Sequence, residues 1–448
     1  MQDLAQPQRQ LDVRHAVAVC VGMVIGAGIF KTSPMVAGAL ASDTELYLAW
    51  AFGGLLSFVG ALCFAELAAA FPDAGGDYHF LRRAFGQRLG FLFAWSRFAV
   101  IHTGSMALLA FVFGDYLAQA VDLSPWLGTQ ANAVLAAALI VLLTALNLLG
   151  LRVGLGTQLG LMAVVLCGML LLGAAGLMRP GPALTPMTAA ATVQQDWGQA
   201  LVFVFLAFGG WSDAATLSAE MRDARRGITR ALLIGLGLVT ALYLLANWAY
   251  LRGLGLDGLA ASAAPAADLM RLAFGRPGEL LIIAIVTLTA LSVMNAILIA
   301  GPRTTYAAAR DLARDLHLAK WNAKRGTPTA AVLATSGVAL LLVAFGAATR
   351  GGFSTMVDYL SPVYWFFLVL SGAALIVLRR REPQAPRPFK LPLYPLLPLL
   401  FMACSAYLLY SSLVYVKTGA LVGVAVLGLG AVLLWPLRPS SPAAAADD

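Results

Sequence analysis

The stretch Val21-Gly22-Met23-Val24-Ile25-Gly26-Ala27-Gly28-Ile29-Phe30 lies inside an apolar segment long enough to cross a bilayer, yet it holds three glycines in seven positions. Glycine weakens a helix by about 1 kcal/mol relative to alanine, so Gly26-Ala27-Gly28 is a place for a helix to come undone. In hydrocarbon that is prohibitive unless protein or a water-filled cavity receives the freed N–H and C=O groups. The stretch therefore predicts a broken helix beside a polar cavity at mid-membrane depth. A second interruption follows at Phe208-Gly209-Gly210, again within an apolar segment. Two glycine-interrupted spans in corresponding places of two halves of a chain point to a transporter's binding site.

The rest of the composition agrees with a membrane setting. Of 448 residues, 60% are hydrophobic and only 12% charged, and the mean hydropathy is +0.81. Such a chain is expected to be an all-α polytopic membrane protein. Its net charge of +8 needs no nucleic acid, because cytoplasmic loops of membrane proteins collect Lys and Arg. Met1 to Arg14 is polar and leads into no short apolar stretch with a small-residue cleavage site, so the first span is expected to be retained. Cys20, Cys63, Cys167 and Cys404 all lie in apolar segments without CxxC or metal spacing. They read as packing residues, with no disulfide, metal or cofactor role.

Counting stretches of about 20 mainly apolar residues gives twelve spans. The first five are about 16–40, 47–70, 89–119, 131–150 and 155–177. The next five are about 198–219, 228–251, 279–300 (with a helical extension through Arg310), 330–347 and 353–378. The last two are about 393–416 and 419–437. With the amino terminus inside, 22 of the 30 Lys and Arg fall on the inner side, 7 on the outer side, and Arg97 within the third span. Both termini are therefore expected in the cytoplasm, with the chain in the cell (inner) membrane. Between spans two and three, Phe71 to Tyr78 forms a Pro/Gly turn and Arg82 to Gly86 a short amphipathic run. No loop is long enough to hold a soluble core.

A neutral cavity made by broken helices suits a zwitterion. The half-helix whose amino terminus faces the cavity offers N–H groups and a partial positive charge to a carboxylate, and the half-helix that ends there offers carbonyls to an ammonium group. Ile25, Gly26, Ala27, Gly28 and Ile29 form the expected carboxylate side. Phe205, Leu206, Ala207, Phe208 and Gly209 form the amine side. Glycines also permit close helix packing, and Gly22 alone reads that way.

These residues, taken with others, resemble the amino acid–polyamine–organocation family in its L-amino-acid transporter branch. The resemblance rests on Ile25-Gly26-Ala27-Gly28-Ile29-Phe30, Ala207-Phe208-Gly209-Gly210-Trp211 and Ala219-Glu220-Met221-Arg222-Asp223. It extends to Gly301-Pro302-Arg303, to Ala308-Ala309-Arg310-Asp311, to Arg387-Pro388-Phe389-Lys390-Leu391-Pro392-Leu393-Tyr394-Pro395, and to Glu66-Leu67 with Pro72 and Gly75-Gly76. It runs from about Arg14 to Trp435. It implies a five-plus-five inverted repeat with discontinuous first and sixth helices. Residues 1–14 would be a cytoplasmic segment, 15–178 and 197–378 the two repeats, 393–437 two extra helices, and 438–448 a cytoplasmic tail. It also implies substrate carboxylate at the first break and substrate amine at the sixth-span break.

The departures from the family pattern bear on coupling. Many members carry a Lys in the fifth span that replaces a sodium ion or handles a proton; Val165 stands at that position here. Sodium-coupled relatives place hydroxyls in the eighth span near Arg303, where this chain has Gly301 and Pro302. Sodium independence follows as an expectation, with exchange and proton coupling both open. The family's Cys for bridging an ancillary subunit lies between spans three and four. None occurs from Asp122 to Asn132, so no disulfide-linked partner is expected.

Several side chains invite a role. Ionisable groups within a span are functional candidates. Arg97 reads as near enough to the cytoplasmic end to extend its head group there. His102, without an acid nearby in sequence, reads first as a hydrogen-bonded residue and second as a proton site. Glu66, Glu220 and Arg303 are gating candidates, with Arg82 or Arg303 as the expected partner of Glu66. Phe208 is chosen as a lid over bound substrate, with Leu206 as the alternative. Ser212, where relatives often have Asn, is expected to line the pocket and tune selectivity.

The expected activity is secondary transport of neutral L-amino acids by alternating access. Polyamine or cationic amino acid transport within the same family is the alternative, and a non-transporting sensor is a further one. An intramembrane enzyme would need paired carboxylates, a Ser/His pair or metal ligands at membrane depth. The four His and their surroundings assemble none of these. A channel would want a repeated filter or a ring of charges, and neither is visible.

Overall fold

The computed structural model describes residues 12–26, 28–73, 75–121, 123–149, 155–178, 195–214, 221, 224–312, 317–320, 322, 327–349, 351–415 and 419–434. In chain order its helices begin with α1 (Val13–Val24), α2 (Ile29–Ala39), α3 (Asp43–Ala70), α4 (Asp77–Phe85) and α5 (Gln87–Ser96). A π-helical stretch, Arg97–His102, carries α5 into α6 (Thr103–Ala120). There follow α7 (Ser124–Leu127), α8 (Ala131–Leu148), α9 (Leu155–Met178), α10 (Trp197–Ala207), α11 (Ala224–Ala261) and α12 (Pro265–Leu312). The chain ends in α13 (Thr329–Ala348), α14 (Phe353–Arg381), α15 (Leu396–Tyr415) and α16 (Gly419–Leu434).

Among the described residues, nine helices are long and apolar enough to cross a membrane, and the bent pair α1–α2 makes a tenth. α10 and α16 are apolar but shorter. No strand forms among them beyond one bridge between Asn322 and Thr327. Leu48, Leu55, Leu142, Leu170, Leu341 and Leu421 point outward, as side chains do where the solvent is lipid.

Between the seventh and eighth expected spans, 252–278 is helical except at Ser262–Ala264. α11 runs on past the seventh span and bends at Gly255 (φ 71°), while α12 begins at Pro265 and bends at Gly275 (φ 66°). These pieces carry Arg252, Asp257, Asp268, Arg271 and Arg276, so a search for apolar stretches passes over them. The amphipathic run after the second span is the short helix α4, with Phe80, Leu81 and Ala84 buried and Arg82 and Arg83 exposed.

Two groups of helices frame the centre. α1 and α3 pack on α11, and α2 packs on both α10 and α11. α6, α8, α12 and α13 form a second group, and α9 lies against α1, α11 and α12. Local chemistry fixes several ends. Ser42 accepts the Glu45 N–H to start α3, with Asp43 and Glu45 favourably placed in its first turn. Asp196 caps α10 through the Gln199 N–H at 2.8 Å, and its own N–H reaches the Ala39 carbonyl at 3.0 Å. The start of α10 is thereby tied to the end of α2.

Candidate functional site

Helix α1 stops at Val24. The Ile25 N–H closes the last turn on the Val21 carbonyl at 2.7 Å, and the Gly26 N–H folds back on the Val24 carbonyl at 2.7 Å. Gly28 then caps α2, its carbonyl taking the N–H groups of Lys31 and Thr32 at 2.9 and 2.8 Å. The two half-helices are bent by 51°. Ile25 and Ile29 are buried, while Gly26 and Gly28 are partly open, so the break can be reached at its glycines. The N–H groups of Ile29 and Phe30, ahead of those bonded to Gly28, lie at the positive end of the helix dipole, an arrangement that favours a carboxylate. Ala27 lies outside the described residues.

Helix α10 stops at Ala207. The Phe208 N–H still reaches the Val204 carbonyl at 3.2 Å, the Gly209 N–H turns onto the Leu206 carbonyl at 3.0 Å, and Gly210 takes φ +97°. A β-carbon on Gly210 would lie 2.5 Å from the Met23 carbonyl oxygen, and one on Gly28 would lie 3.4 Å from the Ala207 Cα. The structure thus brings the two interrupted stretches into contact.

Sequence reasoning missed the residue that joins them. Tyr243 on α11 is fully buried, and its hydroxyl lies 2.9 Å from both the Val24 and the Ala207 carbonyl oxygens. These are the last carbonyls of α1 and α10. A phenol has one proton, so the two carbonyls share it. Nothing in an apolar helix marks which aromatic will reach a helix end, although a Tyr in place of Phe signals that its tip needs a partner.

The remaining site candidates fall in different places. Phe205 and Ala207 are buried and Leu206 is half-buried. The Phe208 ring is fully buried, 6.1 Å from Trp50 and 5.0 Å from Tyr243 between ring centres, so here it packs into α3 and α11. Ser212 is buried beside the Tyr364 hydroxyl, with which it hydrogen-bonds. Glu66 belongs to a separate cluster. Its carboxylate takes both Nε (2.6 Å) and Nη2 of Arg379 and the Leu391 N–H (2.7 Å), with Arg387 Nε at 3.3 Å. The partner expected from sequence was Arg82 or Arg303; the observed partners come from α14 and from the Arg387–Leu391 segment behind it, 313 and more residues away. Glu220 and the side chain of Arg303 lie outside the described residues.

Arg97 also departs from its reading. It stands ten residues into the spanning helix Gln87–Ala120, about 15 Å along it at 1.5 Å per residue. Its side chain is largely buried, with Nη2 2.6 Å from Asp213 Oδ1. Its Nε and Nη2 point at His102 Nε2 from 3.2 and 2.9 Å. A guanidinium only donates, so His102 Nε2 accepts and the imidazole is held neutral with its proton on Nδ1.

A cavity beside the first break is lined by Val21, Gly22 and Ile25 of that region, by Leu161, Met162 and Val165 of α9, and by Thr289, Ser292 and Val293 of α12. The eighth-span hydroxyls that face α1 are therefore Thr289 and Ser292, well before Gly301 and Pro302. Thr289 already donates to the Ile285 carbonyl at 2.7 Å, and apart from Thr289 and Ser292 the lining side chains are apolar. No group of three or more His, Cys, Asp or Glu that could hold a metal occurs among the described residues.

The apolar helices describe a polytopic membrane protein, and comparison with known proteins places it further. A family model described as amino acid permease matches residues 11–432, and the chain belongs to that family: it is an amino acid transporter, not an enzyme. It is 30% identical over 414 residues to the large neutral amino acids transporter small subunit 2 of Oryctolagus cuniculus, covering 91% of this chain and 76% of the relative. The b(0,+)-type amino acid transporter 1 of Mus musculus is 27% identical, covering 91% and 83%. The Asc-type amino acid transporter 1 of Homo sapiens is 28% identical, covering 94% and 81%.

Proposed function

We propose that this permease moves neutral L-amino acids across the cell membrane by alternating access, without sodium, by exchange or with a proton. The observation that carries the reading is the meeting of the two breaks. The amino-terminal end of α2 and the carbonyl end of α10 converge where Gly26, Gly28 and Gly209 leave backbone within reach. Such a site offers N–H groups to a carboxylate and carbonyls to an ammonium group, and no side-chain charge is needed for either. The relative named for large neutral amino acids fits that substrate class. The acid that follows the second break, Asp213, is bound to Arg97, which counts against selection of a cationic side chain.

In this reading the chain has twelve spans in a five-plus-five inverted repeat with two extra helices, and both termini are cytoplasmic. The Glu66–Arg379 cluster, which joins α3 to α14, serves as an inner closure, with Glu220 and Arg303 as further gating residues and Phe208 or Leu206 over the substrate. Without a Cys in the stretch between α6 and α8, no disulfide-linked partner is required. The purified protein in proteoliposomes provides the test. Counterflow of a neutral amino acid should be unchanged when choline replaces sodium, and Gly26→Val or Gly209→Val should abolish it. Uptake at the wild-type level in both variants would remove the site, and loss of counterflow in choline would remove sodium independence.

A further inference from the structure

Three charged residues from distant parts of the chain meet on the far side of the second break. Gly86 (φ 94°) turns α4 back along α5, and a β-carbon on Gly90 would lie 2.9 Å from Arg82 Cβ. Counting away from that contact along both antiparallel helices sets Asp77, the first residue of α4, beside the end of α5. The π-helical stretch that starts there delivers Arg97, and π-turns inserted in α-helices mark functional positions often. Asp213 arrives from the turn after α10 and takes Arg97 Nη2 at 2.6 Å.

Asp77 is left over. Its side chain is buried at 6% exposure, and its Oδ1 has no hydrogen-bond partner among the described residues. One guanidinium faces two carboxylates, and the guanidinium edge that carries Nε and Nη2 is already occupied by His102 and Asp213. An ionised carboxylate buried without a hydrogen bond costs several kcal/mol, and the usual escape is to take up a proton. Burial is the main cause that pushes the Asp77 carboxyl up, Arg97 pulls it down, Asp213 pushes it up again, and the result is about 8.

The other groups around it do not supply a second cation. On α14, the Tyr364 hydroxyl lies near Asp77, Arg97 and Asp213, while Arg379 is held by Glu66 and Arg381 by the Ala84 carbonyl. His102 is neutral and bonded to Arg97. On α4 itself, His79 pairs with Asp73 and Arg83 with Glu382, and Arg82 is exposed. On α5, Arg88 is exposed at the opposite end of the hairpin.

We propose that Asp77 is the proton-binding site of this permease, protonated while Arg97 pairs with Asp213 and ionised when Asp213 withdraws and leaves Arg97 to Asp77. The idea rests on alternating access, since Asp213 follows the break in the sixth span and travels with it. The proton comes from water on the side that reaches the partly exposed Asp213 and returns to water when Arg97 changes partner. The proton role that sequence offered to His102 passes to Asp77.

The experiment is amino acid exchange in proteoliposomes across the pH interval from about 5 to about 9.5. Wild-type exchange should fall about tenfold per pH unit above about 8, as one titrating proton requires. Asp77→Asn, which can neither bind nor release the proton, should give a profile without that fall, whatever its absolute rate. Asp213→Asn should hand Arg97 to Asp77 and move the midpoint down by at least about one unit. If Asp77→Asn does not fold, infrared spectra of the wild type decide: a protonated-carboxyl band present at about pH 7 should vanish by about pH 9.5. A flat wild-type profile, the same fall in Asp77→Asn, or no such band overturns the proposal. Absence of exchange at every pH would instead overturn the transport reading beneath it.

Discussion

The two breaks look alike as sequence and use their glycines differently. At the first, a β-carbon on Gly26 would meet nothing nearer than the Gly28 nitrogen at 4.0 Å, and Gly28 has an ordinary right-handed φ of −56°. At the second, Gly210 stands at φ +97° with the Met23 carbonyl 2.5 Å from where its β-carbon would be. The first break uses glycine to keep space open beside its peptide groups. The second uses it to let two backbones touch at an angle that other residues rarely adopt. In the proposed reading the first break leaves room for a ligand, whereas Gly210 of the second makes a joint with α1.

That difference is broken most directly at the joint. Gly210→Ala forces a left-handed residue, at about 1–2 kcal/mol, and drives a methyl group into the Met23 carbonyl. Folded, monodisperse protein should be lost, as read by size-exclusion chromatography of the detergent extract. Wild-type yield with wild-type exchange would mean that α1 and α10 are not joined there. At the first break the same change should spare the fold. Gly26→Ala is expected to give normal yield and melting temperature but to raise KM about tenfold or more, the usual effect of one misplaced methyl group in a pocket. An unchanged KM would move the ligand away from Gly26.

Tyr243→Phe sharpens the comparison, because its hydroxyl serves both breaks at once. The ring still fills its place between Trp50 and Phe208; the Val24 carbonyl keeps the Gly26 N–H, and the Ala207 carbonyl loses its phenol donor. At about 1–3 kcal/mol for unsatisfied buried groups, the variant should fold, melt several degrees lower and exchange more slowly. A melting temperature equal to that of wild type would show that neither carbonyl depends on the phenol.

Much of this frame is legible in the chain because glycine in an apolar span is conspicuous. The breaks at Gly26-Ala27-Gly28 and Phe208-Gly209-Gly210 are local facts, and so is the amphipathic helix α4. What pairs across the fold is not local. Asp77, Arg97 and Asp213 are separated by tens to more than a hundred residues, and nothing in their neighbours says they meet. Glu66 finds Arg379 rather than a nearer basic residue for the same reason. Arg97 reads in sequence as extending to the cytoplasmic end because its partner Asp213, 116 residues on, is invisible locally. Helices in 252–278 escaped because charged, amphipathic pieces resemble loops when only apolar length is counted.

A last expected effect, spread over several pH units, concerns how the acid cluster beyond the joint responds to pH. In the unfolded chain Asp77 titrates near the ordinary value of about 3.9, whereas in the folded protein burial pushes it up to about 8. The folded form therefore holds the proton more tightly, and stability is greatest below the lower value. As pH rises from about 4 to about 8 the unfolded chain gains by ionising and the folded one does not, so stability falls through that window. Above about 8 both states have lost the proton and the dependence stops. The melting temperature of wild type, measured against Asp77→Asn at each pH, should decline by a few degrees between about pH 5 and about pH 8 and then level off. A difference that stays constant across the window would mean that Asp77 is already ionised in the fold, with Arg97 shared between two carboxylates. In that case the joint between α1 and α10 would move without any change of protonation at its side.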